Sequence, residues 1–180
     1  MDTRRAALRV FAAIAMVASA SAAEQIAKRP QSGEIQHEIR SVGAKAALNA
    51  LYRDDAQWTA VLRGIASGDA DWLSVGEALR RVSDAHLSEQ LDAAVGEALG
   101  KNAQLVLSRA TGPFELSSVC SSPDIDDERF DTFRTALAEL NRRISGVERV
   151  TDATLARVRT DCLASLRASE PGLRRFFGIK

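Results

Sequence analysis

Three short segments between Asp55 and Asn102 constrain this chain most, because each opens on the same dipeptide and carries an apolar stripe at helical spacing. Asp-Ala begins them at Asp55-Ala56, Asp69-Ala70 and Asp84-Ala85. The first two align without a gap, so that Trp58, Val61 and Ile65 fall on Trp72, Val75 and Leu79. Trp58, Val61, Leu62 and Ile65 form one helix face, as do Trp72, Val75, Leu79 and Val82. The third stripe runs Leu87, Leu91, Ala94, Val95, Ala98, Leu99 and is expected to stop at Gly100. Asp55, Asp69 and Asp84, or Asp54, Asp71 and Ser83 beside them, suit N-caps, where a side-chain oxygen accepts from the free N–H groups of the first turn. Ser67-Gly68 closes the first segment. Links of two or three residues force such helices to pack antiparallel or steeply. The repeat suggests an array of helix pairs, with an ordinary bundle as the alternative. Trp58 and Trp72 each start a stripe, and both are expected to be largely buried core anchors.

The rest of the chain supports an all-α single domain of short antiparallel helices followed by a C-terminal helical hairpin. The 180 residues suffice for one core, and nothing alternates apolar and polar over a strand's length. Residues 24–33 read as a flexible lead-in, and 34–110 as the short-helix stack. The stack starts with one helix from Glu34 to Tyr52, in which Gly43 marks tight helix packing, and ends with a short helix from Ala103 to Arg109. Residues 111–124 form the longest loop. Residues 125–180 form the hairpin and tail, with Phe130, Phe133, Leu137, Leu140 and Ile144 repeating at steps of three and four. Phe130 and Phe133 are further core anchors. Asp124, Asp126, Asp127 and Glu128 crowd the start of that helix, and Arg142 and Arg143 its end, both suiting the dipole. Gly146 is expected to stop it. Thr151 caps a partner helix carrying Leu155, Val158, Cys162 and Leu166, and Pro171-Gly172 ends that helix. The tail folds Phe176 and Phe177 back, or else leaves them exposed as a contact site.

The N-terminus reads as an address. Arg4, Arg5 and Arg9 precede a short apolar run from Val10 to Ala18, and Ser19-Ala20-Ser21-Ala22-Ala23 offers small residues for cleavage. This is the pattern of a secretory signal peptide, residues 1–23; an uncut membrane-anchoring segment is the alternative. The run is too short to span a bilayer. Export to a bacterial periplasm is expected, by the general secretory route rather than the twin-arginine route that Arg4-Arg5 loosely resembles. No membrane span is expected after cleavage. Lys plus Arg equals Asp plus Glu at 24 each. Removal of residues 1–23 leaves a slightly acidic chain, which has no electrostatic footprint for nucleic acid.

An exported chain with two cysteines usually joins them, so Cys120 in the long loop is expected to bridge to Cys162 on the last long helix. Two buried free thiols are the alternative. Two distant cysteines with only His37 and His86 make no zinc site, and no C-x-x-C redox spacing is present. His37-Glu38 lacks a second His four residues on. No cofactor, metal or catalytic residue is assigned. A carboxylate enzyme would draw on Glu77, Glu89 or Glu115, none of which stands out from a surface Glu. The Asp124–Glu128 cluster lacks the spacing and central Gly of a calcium loop, and is expected to form an electronegative patch. Loops on a rigid scaffold carry function disproportionately. The candidate interaction loop is therefore Phe114, Glu115, Asp124, Asp126 and Asp127.

The run Trp58…Ile65-Ala66-Ser67-Gly68-Asp69…Trp72-Leu73, with Asn102…Val106-Leu107 and Cys120 after it, resembles an exported all-helical proteobacterial family with no assigned activity. It is also loosely similar to HEAT-like helix-pair repeats. The resemblance spans residues 40–165 and implies no site residue. Together these readings point to a periplasmic protein-binding or scaffolding module, of which an inhibitor or toxin-neutralising immunity protein is one form. An envelope enzyme acting on glycan or peptide is the alternative, and a carrier of a small apolar ligand a third.

Overall fold

The computed structural model describes residues 30–180 apart from Thr111 and Asp126, so the expected signal peptide and most of the expected lead-in lie outside the described residues. Among the described residues eight α-helices follow in order: α1 (Ser32–Val42), α2 (Ala44–Tyr52), α3 (Asp55–Ile65), α4 (Ala70–Arg80), α5 (Ala85–Arg109), α6 (Leu116–Val119), α7 (Phe133–Glu148) and α8 (Ala156–Phe176). Single 3-10 turns at Glu128–Phe130 and Ala153–Leu155 precede the last two. No strand occurs among the described residues.

The aspartates cap the repeated helices. Asp54 accepts from the backbone N–H of Ala56 and Gln57, Asp69 from those of Asp71 and Trp72, and Asp84 from that of Leu87. Behind the caps, Trp58, Val61, Ile65, Leu73, Val75 and Leu79 turn inward to meet Leu87, Leu91, Val95 and Leu99 of α5. Trp58 is 5% exposed and its indole N–H reaches Gln90 at 2.5 Å. Trp72 is only half-buried: its ring lies across Gly64, where a Cβ would come within 2.5 Å of it. The α1–α2 pair packs beside α4 and tethers both its ends. Gln36 donates to the Asp71 carbonyl (3.1 Å), and Lys45 to the Val82 carbonyl (3.2 Å), where a cation complements the helix dipole.

Three glycines and one proline play parts other than those expected from their position. Gly43 is not a packing contact inside one long helix. Its φ of 87° and ψ of 150° are open only to glycine, it separates α1 from α2, and nothing lies within 4 Å of where its Cβ would sit. Gly100 does not stop α5. The axis breaks at Asn102 (φ −145°, ψ 60°), which joins the third repeated segment to residues 103–109 as one kinked helix. The Asn102 amide donates to the Gly68 carbonyl (3.0 Å) and its oxygen accepts from the Leu105 N–H (3.4 Å). Lys101 holds the Ala66 carbonyl at 2.7 Å. The α3–α4 corner, closed by Gly68 at φ 75°, thus sets where α5 bends.

Gly146 does not stop α7 either, since the helix runs on to Glu148. It is a crossing point: a Cβ there would overlap the Leu99 carbonyl oxygen and sit 3.1 Å from the Cα of Gly100. Pro171 sits inside α8, not at its end. The missing N–H and the ring clash disfavour this, but the turn beyond it is held from outside. Leu173 is 3% exposed, Arg174 pairs with Glu170 across the proline and stacks on Phe133, and Phe177 meets Phe133 edge-on at 6.3 Å. Phe177 therefore packs while Phe176 is 60% exposed. Asp152, not Thr151, caps the turn leading into α8.

Gly146→Ala is expected to cost about 2–3 kcal/mol or more, since the backbone of α5 must shift to admit the methyl. Gly172→Ala, in open space on α8, should be neutral or stabilise by up to ~1 kcal/mol through helix propensity. Urea unfolding of the two variants measures both, and equal effects would contradict the crossing contact.

Candidate functional site

The long loop contains a turn of helix, α6, and its two faces differ. Phe114 (2% exposed), Val119 (0%) and Cys120 (0%) point inward. Phe114 is therefore an anchor under the loop and not a contact residue on it. Glu115 and Asp124 are exposed, Asp127 is half-buried, and Asp126 lies outside the described residues. Glu128 and Asp131 continue the exposed acidic side past the loop.

Two ties fix this segment to the helices. The first is covalent: Cys120 and Cys162 form a disulfide with Cα atoms 5.2 Å apart and both residues fully buried. It spans 42 residues of sequence, and closing such a loop constrains the unfolded chain by about 4 kcal/mol in the loop-entropy model. The second is ionic. Arg129 forks between Glu97 of α5 (2.6 and 2.9 Å) and Asp127 (Nε 3.0 Å to either oxygen). Its hydrogen bonds with Asp127 and Glu97 raise the Arg129 guanidinium above its ordinary range, and the same contact holds the Asp127 carboxyl below the ordinary carboxylate value. Much of this fork is open to solvent, so its contribution to stability is modest.

A third element lies beneath the loop. Arg143 and Glu139 sit one turn apart on α7 with side chains 1% exposed, Nε to Oε1 at 2.9 Å. Arg142 reaches the other Glu139 oxygen from the surface side. One Arg143 nitrogen donates to the Ser121 carbonyl at 3.4 Å, and the guanidinium lies over Gly96, where a Cβ would stand 2.8 Å from it and 2.9 Å from the Val119 carbonyl. Desolvation dominates its titration and pushes it down to about 10, with the charges of Glu97 and Asp124 working against that shift and those of Arg142 and Arg129 adding to it. Arg143 is thus not at the end of α7 serving the dipole. The buried face of α7 is Ala136, Glu139, Leu140, Arg143, Gly146 and Val147, whereas Phe133, Leu137 and Ile144 are half-buried. The signal was present in the small residues Ala136 and Gly146 sharing a face with the Glu139–Arg143 pair, but charged residues are seldom fully buried and the neighbouring apolar stripe outweighs them.

Among the described residues the candidate carboxylates Glu77, Glu89 and Glu115 do not converge. Glu77 is half-buried 3.4 Å from Arg109, and Glu89 and Glu115 are exposed on different elements. Asp92 is buried, in a bidentate pair with Arg80 at 2.9 and 3.2 Å. A groove of about 160 Å³ beside the α5 kink is lined by Lys101, Asn102, Ala103, Gln104, Gly146, Arg149 and Val150, small for a ligand pocket and without an acid. His37 and His86 are exposed, the latter hydrogen-bonded to Gln90. Among the described residues no group of His, Cys, Asp and Glu is arranged to hold a metal, and no helix is long and apolar enough to cross a membrane. No known protein family, curated protein or solved structure matches the chain.

Arg143→Met alone leaves a buried carboxylate short of its partner and is expected to cost roughly 3–5 kcal/mol, while Glu139→Met with Arg143→Met should cost much less than the sum of the single changes. A double-mutant cycle by urea unfolding tests this; additive effects would refute the coupling. Asp127 titrates lower folded than its ordinary 3.8, so its stabilisation is present above that pH and is lost as pH falls through the folded value. Melting temperature measured from pH 6 to pH 2 should fall less steeply for Asp127→Asn than for the native chain.

Proposed function

We propose that the exported chain acts in the cell envelope as a protein-binding module, an inhibitor or scaffold whose contact surface is the outer face of the disulfide-held loop. One observation carries the reading. The segment is anchored inward by Phe114, Val119 and Cys120 and pinned at its far end by the Arg129 fork, while Glu115, Asp124 and Asp127 stand on the other side. A loop held in one shape loses little entropy on binding. An acidic face steers a basic partner and sets its orientation. The signal-peptide pattern of residues 1–23 supports a periplasmic location, with which a disulfide is compatible.

The test uses the mature chain as bait for a periplasmic extract. A partner held by this face should be released by high salt and be retained at least about tenfold less by a Glu115→Lys/Asp124→Lys variant of unchanged helix content. Capture indifferent to salt and to both reversals would remove the loop as the contact surface.

A further inference from the structure

We propose that the segment Phe114–Asp124 is a redox-set latch: the Cys120–Cys162 bond holds it closed over Arg143, and in the dithiol form it opens because opening returns the Arg143 guanidinium to water. The latch stands on the free chain. Its consequence for partner binding rests on the reading above, because the acidic face then exists in fixed form only after oxidation.

Three observations lead there. The segment's backbone hydrogen bonds close on itself: Ser118 and Val119 donate to Glu115, and Cys120 to Leu116. The Ser121 hydroxyl likewise bonds the Ser118 carbonyl. None of these is lost when the segment lifts as a unit. Its contact with the charge beneath is long, 3.4 Å from Arg143 to the Ser121 carbonyl, and a stretched neutral acceptor replaces the hydration of a guanidinium poorly. The remaining ties are the inward apolar side chains, the largely solvated Arg129 fork just past the segment's far end, and the covalent bond from Cys120 to α8, which is packed along α7. Glu139 compensates the guanidinium only through Nε, so burial of the rest of the charge opposes closure, and the disulfide removes the open state from reach. Closing the latch joins the two thiols with loss of two protons and two electrons. A disulfide-class oxidant such as oxidised glutathione takes them up and is itself cleaved to two thiols.

The experiment compares the native chain with Cys120→Ala/Cys162→Ala, the fold being checked by helix content and by protection of the α5 amides from Leu91 to Leu99. Amide exchange across residues 116–122 should be faster in the disulfide-free chain by about tenfold or more. Adding Glu139→Met and Arg143→Met to that chain should restore most of the protection, since no charge is then left to rehydrate. The second readout does not depend on the quadruple variant folding. Phenylglyoxal should modify Arg143 in the disulfide-free chain at a rate approaching that of exposed Arg134, and leave it untouched in the native chain. Protection within about twofold of native in the disulfide-free chain, unmodified Arg143 there, or a quadruple variant no better protected than the double one would each overturn the latch. A closed native loop that captures no partner would overturn only the binding reading.

Discussion

The crossing of α5 over α7 is the contact on which the other parts of this fold are placed. The two helices share the most extensive interface between elements, and Gly146 lets their backbones meet at Leu99 and Gly100 without a side chain between them. That approach brings α7 close enough for Arg143 to lie on Gly96, and it positions α8, which packs along α7 and carries Cys162. The helices α3 and α4 lean on α5, and α1 and α2 pack in turn against them. A side chain at the crossing would separate the halves of the domain and leave the loop with nothing to close against.

Close approach has a physical consequence at the loop. The side chains of Glu139 and Arg143 are both 1% exposed, so they satisfy each other, Arg142 reaches the second Glu139 oxygen, and Arg143 borrows an acceptor from what covers it. What covers them is the segment around Val119 to Ser121. A buried ion pair of this kind is weak evidence for stability. Its effect here is positional: it specifies which backbone carbonyls sit above α7 and makes the covering segment depend on a covalent tie. The surface offered to a partner and the charge hidden behind it are two sides of one loop.

Much of the secondary structure was legible from local chemistry. An Asp at the head of each short helix, Asp54 beside the repeated Asp55 and the repeated Asp69 and Asp84 themselves, is a cap whatever surrounds it, because the N–H groups it serves belong to its own first turn. The periods of Trp58 to Ile65 and of Trp72 to Leu79 likewise report a face that must be buried somewhere. The pairing of Cys120 with Cys162 could be read from cysteine number in a chain expected to be exported. The candidate loop could be placed from the sequence, but its parts were not sorted: Phe114 belongs underneath, Arg143 was read as serving the dipole at the end of its helix, and Glu139 was not singled out. Charge on a helix is normally solvated, and only the packing partner decides otherwise.

The amino-acid sequence alone determined that the chain is helical, where the repeated helices begin and which two sulfurs are there to join, since these follow from interactions within a few residues or from there being only two cysteines. Tertiary structure decided the meaning of each breaker. Gly43 turns a corner because nothing packs against it, and Gly146 continues a helix because another backbone does. Pro171 is carried through because the turn beyond it is held by Phe133. Asn102 bends α5 because Gly68 and Ala66 wait there for its side chain and its neighbour's. A glycine or proline states only what the backbone is free or unable to do. Which of those possibilities is used depends on neighbours dozens of residues away.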